Sequence, residues 1–414
     1  MLVCVYQVKS AKILGVFPIP SFSHQIVFRK ITQELHKRGH ELTVLTPDPA
    51  YPKGKTPANY TEIDFHDASY KIFKSNINSN YKREGLAIDF DMVRGMTALF
   101  MKIIEYHFQS EEVQEIISKN KYDLILLESV VLPGLIYSHI FKAPVILVSS
   151  FGGYIYEHKI MGTPTSPILY PLPMRNKIYN LNFYEKIREI YQHYSNEYAL
   201  YLNNLDDDRI LKKIFGPQTP TINELSDNIH MLFLNVHTIW ADNKPTTPNI
   251  LYLGGIHQEP QKNLPKDLEI YLNSSRHGVI YVSFGTNVLS SMISTDKIDN
   301  IVKVLSKLPY DVLWKWDGEE LPGKSENIRI SKWFPQSDLL RHPKIKLFIT
   351  QAGLQSTDEA IAGGVPLIAI PSFADQWYNA EKYEKFGIGI HLDITTFTEE
   401  ELHNAVITTI NNER

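Results

Sequence analysis

Short apolar runs and helical patterns alternate from the start of the chain. Lys12–Phe17 is an apolar run that predicts a strand, and Pro18–Ser23 is a loop of turn formers. In His24–Arg38 apolar side chains recur at helical spacing, and Gly39 follows as a helix-ending residue. A second apolar run, Glu41–Thr46, completes a strand–helix–strand order that is typical of a doubly wound parallel sheet.

The same alternation continues along both halves of the chain. Two more strands of the first half are predicted at Leu124–Leu127 and Val145–Val148, whereas residues 151–228 are rich in Tyr and Asn and carry helical patterns. A second series is predicted to contain the strands Ile250–Leu253, Val279–Val282, Val312–Trp316, Leu347–Thr350 and Leu367–Ile370. We therefore expect an α/β fold of two Rossmann-like, doubly wound parallel-sheet domains that face each other across a cleft.

The boundary between the two domains is predicted at the proline-containing stretch Asn243–Pro248. It divides the chain into residues 1–245 and residues 246–414. The chain stops at Arg414 with no closing element after its last predicted helix, so we expect the C-terminal domain to be truncated.

Composition excludes several classes of protein. With 43% hydrophobic and 21% charged residues, the 414-residue chain has the balance of a globular protein, and its net charge of −4 argues against nucleic-acid binding. A single cysteine allows neither an internal disulfide nor a Cys-based zinc cluster. No apolar run of about 18 residues is present to cross a membrane. Two glycosylation sequons, at Asn59 and Asn273, weakly favour a lumenal location.

The stretch Ser331–Gln376 has the properties of a nucleotide site. Trp333 offers a flat face to a base, and Gln336 can pair with a base edge or a ribose. Gly353 lets the backbone approach a phosphate, and Ser356 is predicted to open a helix whose N–H groups favour an anion. Glu359 can accept from ribose hydroxyls, and Asp375 with Gln376 can hold sugar hydroxyls. A single Trp or Gly of this kind is more often only structural, so the order and spacing of the whole set carry the interpretation.

This stretch resembles the signature of the UDP-glycosyltransferase family, the inverting small-molecule transferases with a GT-B fold. It is most similar to the animal microsomal branch of UDP-glucosyl- and UDP-glucuronosyltransferases. The similarity extends over nearly the whole chain. It includes Tyr122-Asp123, Gly254-Gly255-Ile256-His257 and Val282-Ser283-Phe284-Gly285-Thr286.

The resemblance implies a role for particular residues. His24 matches the general base, and Glu128 stands where the family usually has an Asp that orients the base. Gln351 stands where the family commonly has His, so we expect weaker binding of the donor. The implied donor-binding residues are Ser283, Trp333, Gln336, Gln351, Gly353, Gln355, Ser356, Glu359, Asp375 and Gln376.

The resemblance also implies the reaction and its setting. An N-terminal acceptor domain and a C-terminal UDP-sugar domain would move a hexose from UDP-glucose, or UDP-glucuronate, to a small lipophilic acceptor such as a phenol or steroid-like alcohol. Neither a metal ion nor a prosthetic group is implied. The branch faces the lumen of the endoplasmic reticulum on a membrane anchor, is linked to detoxification and allows a homo-oligomer. Aromatic residues near predicted strand ends would line the acceptor pocket: Phe22, Phe151, Tyr154 and Tyr156.

Two alternatives remain open at this point, and a third is set aside because its motif is missing. Glu128 and Gln351, together with the expected truncation, motivate a non-catalytic UDP-sugar-binding protein. A metal-dependent GT-A enzyme would use one of two acidic strings, Asp89-Phe90-Asp91 or Asp206-Asp207-Asp208, but both lie away from predicted strand ends. A dinucleotide oxidoreductase would need a GxGxxG motif after the first strand, which the sequence lacks.

Overall fold

The computed structural model describes residues 10–80, 88–242, 244–286 and 293–412. These residues form two compact units, each built on its own parallel sheet. The predicted fold class is therefore confirmed.

The first unit is built on a seven-stranded parallel sheet with the order β3-β2-β1-β4-β5-β6-β7. β1 and β4 lie inside this sheet, where parallel strands are covered on both faces and read as apolar runs. The stacked rings of Phe17 and Phe28, with centroids 4.3 Å apart, pack α1 against this sheet. In chain order the elements are β1 (Lys12–Val16), α1 (Phe22–Lys37), β2 (Glu41–Thr46), β3 (Tyr60–Asp64), α2 (His66–Asn80), α3 (Phe90–Gln109), α4 (Glu111–Lys119), β4 (Leu124–Glu128), α5 (Ile136–Phe141), β5 (Val145–Ser149), α6 (Ile155–Ile160), α7 (Phe183–Phe215), α8 (Ile222–Ser226), β6 (Ile229–Leu234) and β7 (Ile250–Tyr252).

The second unit is built on a six-stranded parallel sheet with the order β10-β9-β8-β11-β12-β13. Its central strands β8 and β11 are almost wholly buried. Its elements are α9 (Lys266–Ser274), β8 (Val279–Ser283), α10 (Thr295–Ser306), β9 (Asp311–Lys315), β10 (Ile328–Ser331), α11 (Gln336–Leu340), β11 (Ile345–Thr350), α12 (Leu354–Gly363), β12 (Leu367–Ala369), α13 (Gln376–Phe386), β13 (Gly389–His391) and α14 (Glu399–Asn411).

A segment from the middle of the chain, Pro171–Ile187, also belongs to the second unit, and it includes the first five residues of α7. The Tyr179 hydroxyl accepts hydrogen bonds from Lys382 and Lys385 of α13, at 3.1 and 3.2 Å. The Glu381 carboxylate accepts from the backbone N–H groups of Ile178 and Tyr179, both at 3.4 Å. The segment is thus fixed to α13 by side-chain and backbone contacts.

The boundary between the units differs from the predicted one. Ile250–Tyr252, which the sequence assigns to the second half, pairs with β6 as the last strand of the first sheet. The first unit therefore continues to Ile256, beyond the proline-containing stretch. The prolines mark a loop between β6 and β7, and turn-forming residues do not distinguish such a loop from a linker.

Candidate active site

His24 and Glu128 form a hydrogen-bonded pair in the first unit. His24 lies in the first turn of α1, directly after the β1–α1 loop, and Glu128 is the last residue of β4, which pairs with β1 in the sheet. The His24 Nδ1 and Glu128 Oε1 atoms are 2.8 Å apart. Parallel strands bring their carboxyl ends to one edge of the sheet, which explains why residues 104 positions apart in the chain meet here.

The Glu128 carboxylate is buried and has a second partner. Only 2% of its side chain is exposed, and its Oε2 accepts from the Ile19 N–H at 3.1 Å. Burial raises the pKa of Glu128, whereas the hydrogen bond and charge of His24 and the Ile19 N–H lower it. A carboxylate that accepts from both sides holds the imidazole with its proton on Nδ1, so Nε2 carries the lone pair.

The loop between β1 and α1 is anchored by Gln25, a residue without a predicted role. Its buried amide donates to the carbonyls of Phe17 and Ile19, both at 3.0 Å, and its Oε1 accepts from Thr46 at 3.0 Å. Because Ile19 also donates to Glu128, the same loop contacts both Gln25 of α1 and the carboxylate that His24 contacts. Gln25 could have been sought as a polar residue one position after the predicted base.

The predicted acceptor-lining aromatics divide into two groups. The Phe151 ring lies 6.5 Å from the His24 ring, centroid to centroid. The hydroxyl of Tyr154 accepts from Asn196, and that of Tyr156 contacts Ser226 at 3.1 Å. Phe151 is therefore in ring contact with His24.

In the second unit, Gln336 is hydrogen-bonded to two other residues that are predicted to bind the UDP-sugar, Ser356 and Glu359, so the three form one network. Its Nε2 donates to Ser356 Oγ at 2.9 Å and to Glu359 Oε2 at 2.7 Å. Its Oε1 accepts from the buried Tyr281 hydroxyl at 3.1 Å. Burial raises the pKa of Glu359, and the hydrogen bond from Gln336 partly offsets this effect. The network holds two oxygen-bearing side chains of α12 beside the start of α11.

Trp333 lies outside this network with 57% of its surface exposed. It follows β10, and the Lys315 ammonium lies 5.2 Å from the centre of its ring. Lys315 also donates to the Gly285 carbonyl at 2.6 Å, and burial lowers its pKa. An indole this exposed is not part of the hydrophobic core. Core packing, the alternative role of a single Trp considered from the sequence, therefore does not explain Trp333.

Gln351 and Ser283 lie side by side at the carboxyl ends of β11 and β8. Ser283 pairs in register with Thr350, whose hydroxyl donates to Gln351 Oε1 at 2.9 Å. A Cβ on Gly285 would lie 2.1 Å from Gln351 Nε2, and Gly285 has a φ of +87°. Position 285 therefore requires glycine both for its backbone conformation and for the approach of the Gln351 amide.

The helix after β11 begins two residues earlier than predicted. Its N-cap is Gly353 and its first residue is Leu354, whereas the sequence predicts that Ser356 opens the helix. Ser356 is consequently in the first turn and Glu359 in the second. Burial lowers the pKa of His257, which lies beside the Gln355 backbone, to about 4. The N–H groups at this helix start keep the predicted anion-favouring orientation.

Asp375 and Gln376 stand at the start of α13, as predicted. Gln376 Oε1 accepts from the backbone N–H groups of Ser372 and Phe373, both at 2.8 Å. Asn379, which the sequence did not single out, donates to Asp375 Oδ2 at 3.0 Å and to the Ala352 carbonyl at 2.9 Å. Asn379 therefore links the start of α13 to the turn that precedes α12.

The two acidic strings serve helices. Asp89 caps α3 by accepting from the Met92 N–H at 2.9 Å. Asp206-Asp207-Asp208 lies inside α7. Within the described ranges, no group of three or more His, Cys, Asp or Glu residues could hold a metal ion. The helices described there also include none that is long and apolar enough to span a bilayer.

Solved structures of glycosyltransferases share this architecture. The crystal structure of the glycotransferase of kitacinnamycin has a TM-score of 0.65 and 17% identity, and covers 98% of this chain and 91% of its own. A UDP-glucosyltransferase from Polygonum tinctorium, capable of glucosylating indoxyl, has a TM-score of 0.63 and 15% identity, with 98% and 90% coverage. At such identities the likeness supports the GT-B fold.

Sequence comparison reaches further. The family model described as UDP-glucoronosyl and UDP-glucosyl transferase matches residues 11–414. The ecdysteroid UDP-glucosyltransferase of Lymantria dispar multicapsid nuclear polyhedrosis virus is 34% identical over 98% of this chain and 81% of its own length. UDP-glycosyltransferase UGT5 of Dactylopius coccus is 32% identical over 94% of this chain and 75% of its own length. The chain therefore belongs to the UDP-glucoronosyl and UDP-glucosyl transferase family and is a glycosyltransferase that uses a UDP-sugar as its donor.

Proposed function

We propose that the protein transfers glucose from UDP-glucose to a hydroxyl of a small lipophilic alcohol, with His24 as the general base. The observation that carries this proposal is the 2.8 Å contact between His24 Nδ1 and the buried Glu128 carboxylate. Such a contact leaves Nε2 to accept a proton, which is what a base that activates an alcohol requires.

The proposed reaction is a single inverting displacement. The acceptor O–H gives its proton to His24 Nε2 while its oxygen bonds to the anomeric carbon of the sugar. The bond from that carbon to the UDP oxygen breaks, and UDP leaves with the electron pair. The imidazolium that forms is stabilised by the Glu128 carboxylate, a charge that is in place before the reaction.

The proposed donor contacts follow from the arrangement of the second unit. Uracil would stack on the indole face of Trp333 opposite Lys315. Gln336 would bind the uridine and Glu359 its ribose. The diphosphate would lie against the start of α12, with Ser283, Gln351, Gly353, Gln355 and Ser356 around it.

For the sugar itself we propose Asp375 and Gln376 as the residues that bind its hydroxyls. The Gln376 carbonyl oxygen is already bonded to two backbone N–H groups, which fixes the side chain at the helix start. Glucose is favoured over glucuronate because an Asp carboxylate would repel a second carboxylate. The viral relative from Lymantria dispar multicapsid nuclear polyhedrosis virus is a UDP-glucosyltransferase, which supports the same choice.

For the acceptor we propose a steroid-like alcohol. Support comes from the viral relatives, which are named for ecdysteroids. Phe151, in ring contact with His24, offers an apolar surface beside the base. A flat, mostly apolar acceptor with a secondary hydroxyl meets both requirements.

The experiment that tests this proposal replaces His24 with Ala. Turnover of UDP-glucose with a steroid alcohol should fall by about 10²–10⁴, while the affinity for UDP, measured by calorimetry, stays within about twofold. His66→Ala is the matched control, since the His66 imidazole contacts the Pro47 carbonyl in the same unit and is distant from Glu128 in the sheet. Full turnover by the His24 variant would refute the assignment of the base.

A further inference from the structure

The loop between β1 and α1, all of which the structure describes, offers a single backbone N–H group to the candidate catalytic pair. It runs from Phe17 to Ser21 with the sequence Phe-Pro-Ile-Pro-Ser, and its two prolines lack an N–H. The N–H groups of Phe17 and Ser21 donate to other backbone carbonyls, at 3.0 and 2.9 Å. The remaining N–H group, that of Ile19, donates to Glu128 Oε2 at 3.1 Å. The second oxygen of the carboxylate therefore depends on the position of one peptide group of this loop.

Gln25, in the first turn of α1, holds the carbonyl groups on either side of that N–H. Its Nε2 donates to the Phe17 and Ile19 carbonyls, both at 3.0 Å. Its Oε1 accepts from the Thr46 hydroxyl at 3.0 Å. The reverse orientation of the amide would set its oxygen against two carbonyl oxygens, so these contacts determine which atom faces the loop. Both N–H bonds of the amide are thus used on the two peptide groups that flank the Ile19 N–H.

The third contact of Gln25 connects the loop to the sheet. Thr46 is the last residue of β2, which pairs with β1, and β1 pairs with β4. The contacts of Gln25 therefore link the ends of three neighbouring strands, the third through the Ile19 N–H and Glu128. Side chains that are supported by regular strands are held more precisely than side chains that are supported by loops alone.

The Glu128 carboxylate needs such support because its terminal torsion is soft. The χ3 angle of a glutamate is broad, so the 2.8 Å contact between Oε1 and His24 Nδ1 does not by itself fix the plane of the carboxylate. A hydrogen bond to Oε2 does fix it. Aspartate, the usual residue of the family at this position, has one torsion fewer. Glu128 and Gln25 are 2% and 1% exposed, so solvent does not readily replace a lost partner.

We propose that Gln25 is a positioning residue for the transfer reaction. By holding the two flanking carbonyls it keeps the Ile19 N–H on Glu128 Oε2, and the carboxylate in turn keeps the Nδ1 proton of His24 in place. This inference rests on the proposed role of His24 as the general base. Gln25 itself does not react, because its amide donates and accepts within the protein.

The test measures kcat, the KM for UDP-glucose and the melting temperature, with a steroid alcohol as the acceptor. Gln25→Met keeps an unbranched side chain of similar length and removes all three hydrogen bonds. We expect kcat to fall about 10- to 100-fold, since a misplacement of about 1 Å can cost about 10²-fold. The KM for UDP-glucose should stay within about twofold, because the residues proposed to bind the donor lie in the second unit.

Thr32→Val is the matched control. Thr32 lies about two turns further along the same helix, and its buried hydroxyl contacts the Tyr60 hydroxyl at 2.7 Å and donates to the Phe28 carbonyl. Its replacement also removes buried hydrogen bonds from α1. It should therefore lower the melting temperature and leave kcat within about threefold of the parent.

A double-mutant cycle separates positioning from a general loss of structure. If Gln25 acts through Glu128, Gln25→Met should change kcat by less than about threefold in a Glu128→Gln background, where the carboxylate is already absent. Thr46→Val leaves Gln25 in place and removes the hydrogen bond to its Oε1. It should give a smaller fall in kcat that also disappears in that background, and it decides the question if Gln25→Met does not fold.

Each outcome decides the inference. A fall in kcat that occurs in the parent but not in the Glu128→Gln background, with the Thr32 control unaffected, supports it. An unchanged kcat in a folded Gln25→Met variant, or an equal fall in both backgrounds, overturns it. Failure of the proposed function has a different signature, because His24→Ala would then keep full turnover and both proposals would fall. Failure of this inference alone leaves His24→Ala inactive.

Discussion

Replacing Glu128 with Gln removes the charge beside His24 and keeps nearly the same shape. The amide oxygen can still accept from the Ile19 N–H, which now bonds the carboxylate at 3.1 Å. The amide NH₂ then faces His24 Nδ1 and donates to it, so the imidazole proton moves to Nε2. The atom proposed to accept the proton of the alcohol is then no longer a base.

The size of the effect follows from the contact. A hydrogen bond to a charged group contributes about 1.5–3 kcal/mol, and Glu128 is only 2% exposed, so solvent screens little of it. The change of tautomer costs further free energy in the transition state, because Nε2 then has no lone pair with which to accept the proton of the alcohol. A total of about 3–4 kcal/mol corresponds to a fall in kcat of about 10²–10³.

Unlike kcat, the stability of the Glu128→Gln variant should not fall. The folded-state pKa of Glu128 is raised by burial, so folding disfavours its ionised form, and this destabilisation grows as the pH rises from the ordinary carboxyl pKa to the raised folded-state pKa. Gln carries no charge and avoids this cost. The melting temperature of the Glu128→Gln variant at pH 7 should therefore equal or exceed that of the parent, and a variant that loses turnover without losing stability is not explained by misfolding.

The assay measures initial rates with UDP-glucose and a steroid alcohol, the affinity for UDP and the melting temperature. Glu62→Gln is the control, because the Glu62 carboxylate accepts from two backbone N–H groups, those of Ala50 and Tyr51, has no histidine among these partners, and has its pKa raised by burial as Glu128 does. Glu128→Asp keeps the charge but is shorter by about 1.5 Å, so it should retain one of the two contacts and lose less turnover than Gln. A kcat for Glu128→Gln within about threefold of the parent, or an equal fall for Glu62→Gln, would refute the reasoning.

Three other predictions concern the second unit and α7. Trp333→Ala should weaken UDP binding by about 1–3 kcal/mol, the usual contribution of base stacking, with little change in melting temperature because the indole is largely exposed; calorimetry that shows unchanged affinity would contradict this. Gly285→Ala should cost about 1–2 kcal/mol of stability for its backbone conformation. It should also weaken UDP binding about tenfold by displacing Gln351. Gly323→Ala is the control and should lower stability alone, because Gly323 has a φ of +69° and an added Cβ would have no atom closer than 3.7 Å. Burial and two neighbouring carboxylates raise the pKa of Asp207 from 3.8 to about 8, so stability should fall as the pH rises from about 4 to about 8, and Asp207→Asn should raise the melting temperature at pH 7–8 and not at pH 4; an equal shift at both pH values would argue against this origin.

The elements that the sequence predicted well are those buried on both sides. β1, β2 and β4 read as apolar runs because the centre of a parallel sheet has no solvent-facing side. Four strands were not predicted, for different reasons. β3 and β10 are edge strands with one buried residue each, Tyr60 and Ile328, and β13 has only three residues. β6 is strongly apolar, but no strand was predicted between residue 228, where the helical region ends, and the proline-containing stretch.

The sequence predicts the part of the candidate site that depends on the order of the strands. It does not predict the part that depends on networks of side-chain hydrogen bonds. His24 and Glu128 follow neighbouring strands, so their meeting follows from the topology. The roles of Gln25 and Asn379 depend on where particular carbonyls of a loop and a turn point, which residue types do not encode. The start of α12 was misplaced for a related reason: serine is a good N-cap, but the short turn after β11 gives that position to Gly353.

The attachment of Pro171–Ile187 to α13 has a consequence for protein engineering. A hybrid that joins the first half of this enzyme to the second half of a relative, at the natural junction after Ile256, would separate Tyr179 from Lys382 and Lys385. Lys382 is wholly buried, so its ammonium group would be left to whatever side chain the new parent supplies. An exchange of acceptor specificity by domain shuffling should therefore succeed more often when two further crossover points are placed on either side of Pro171–Ile187. This segment then comes from the same parent as the rest of the second unit.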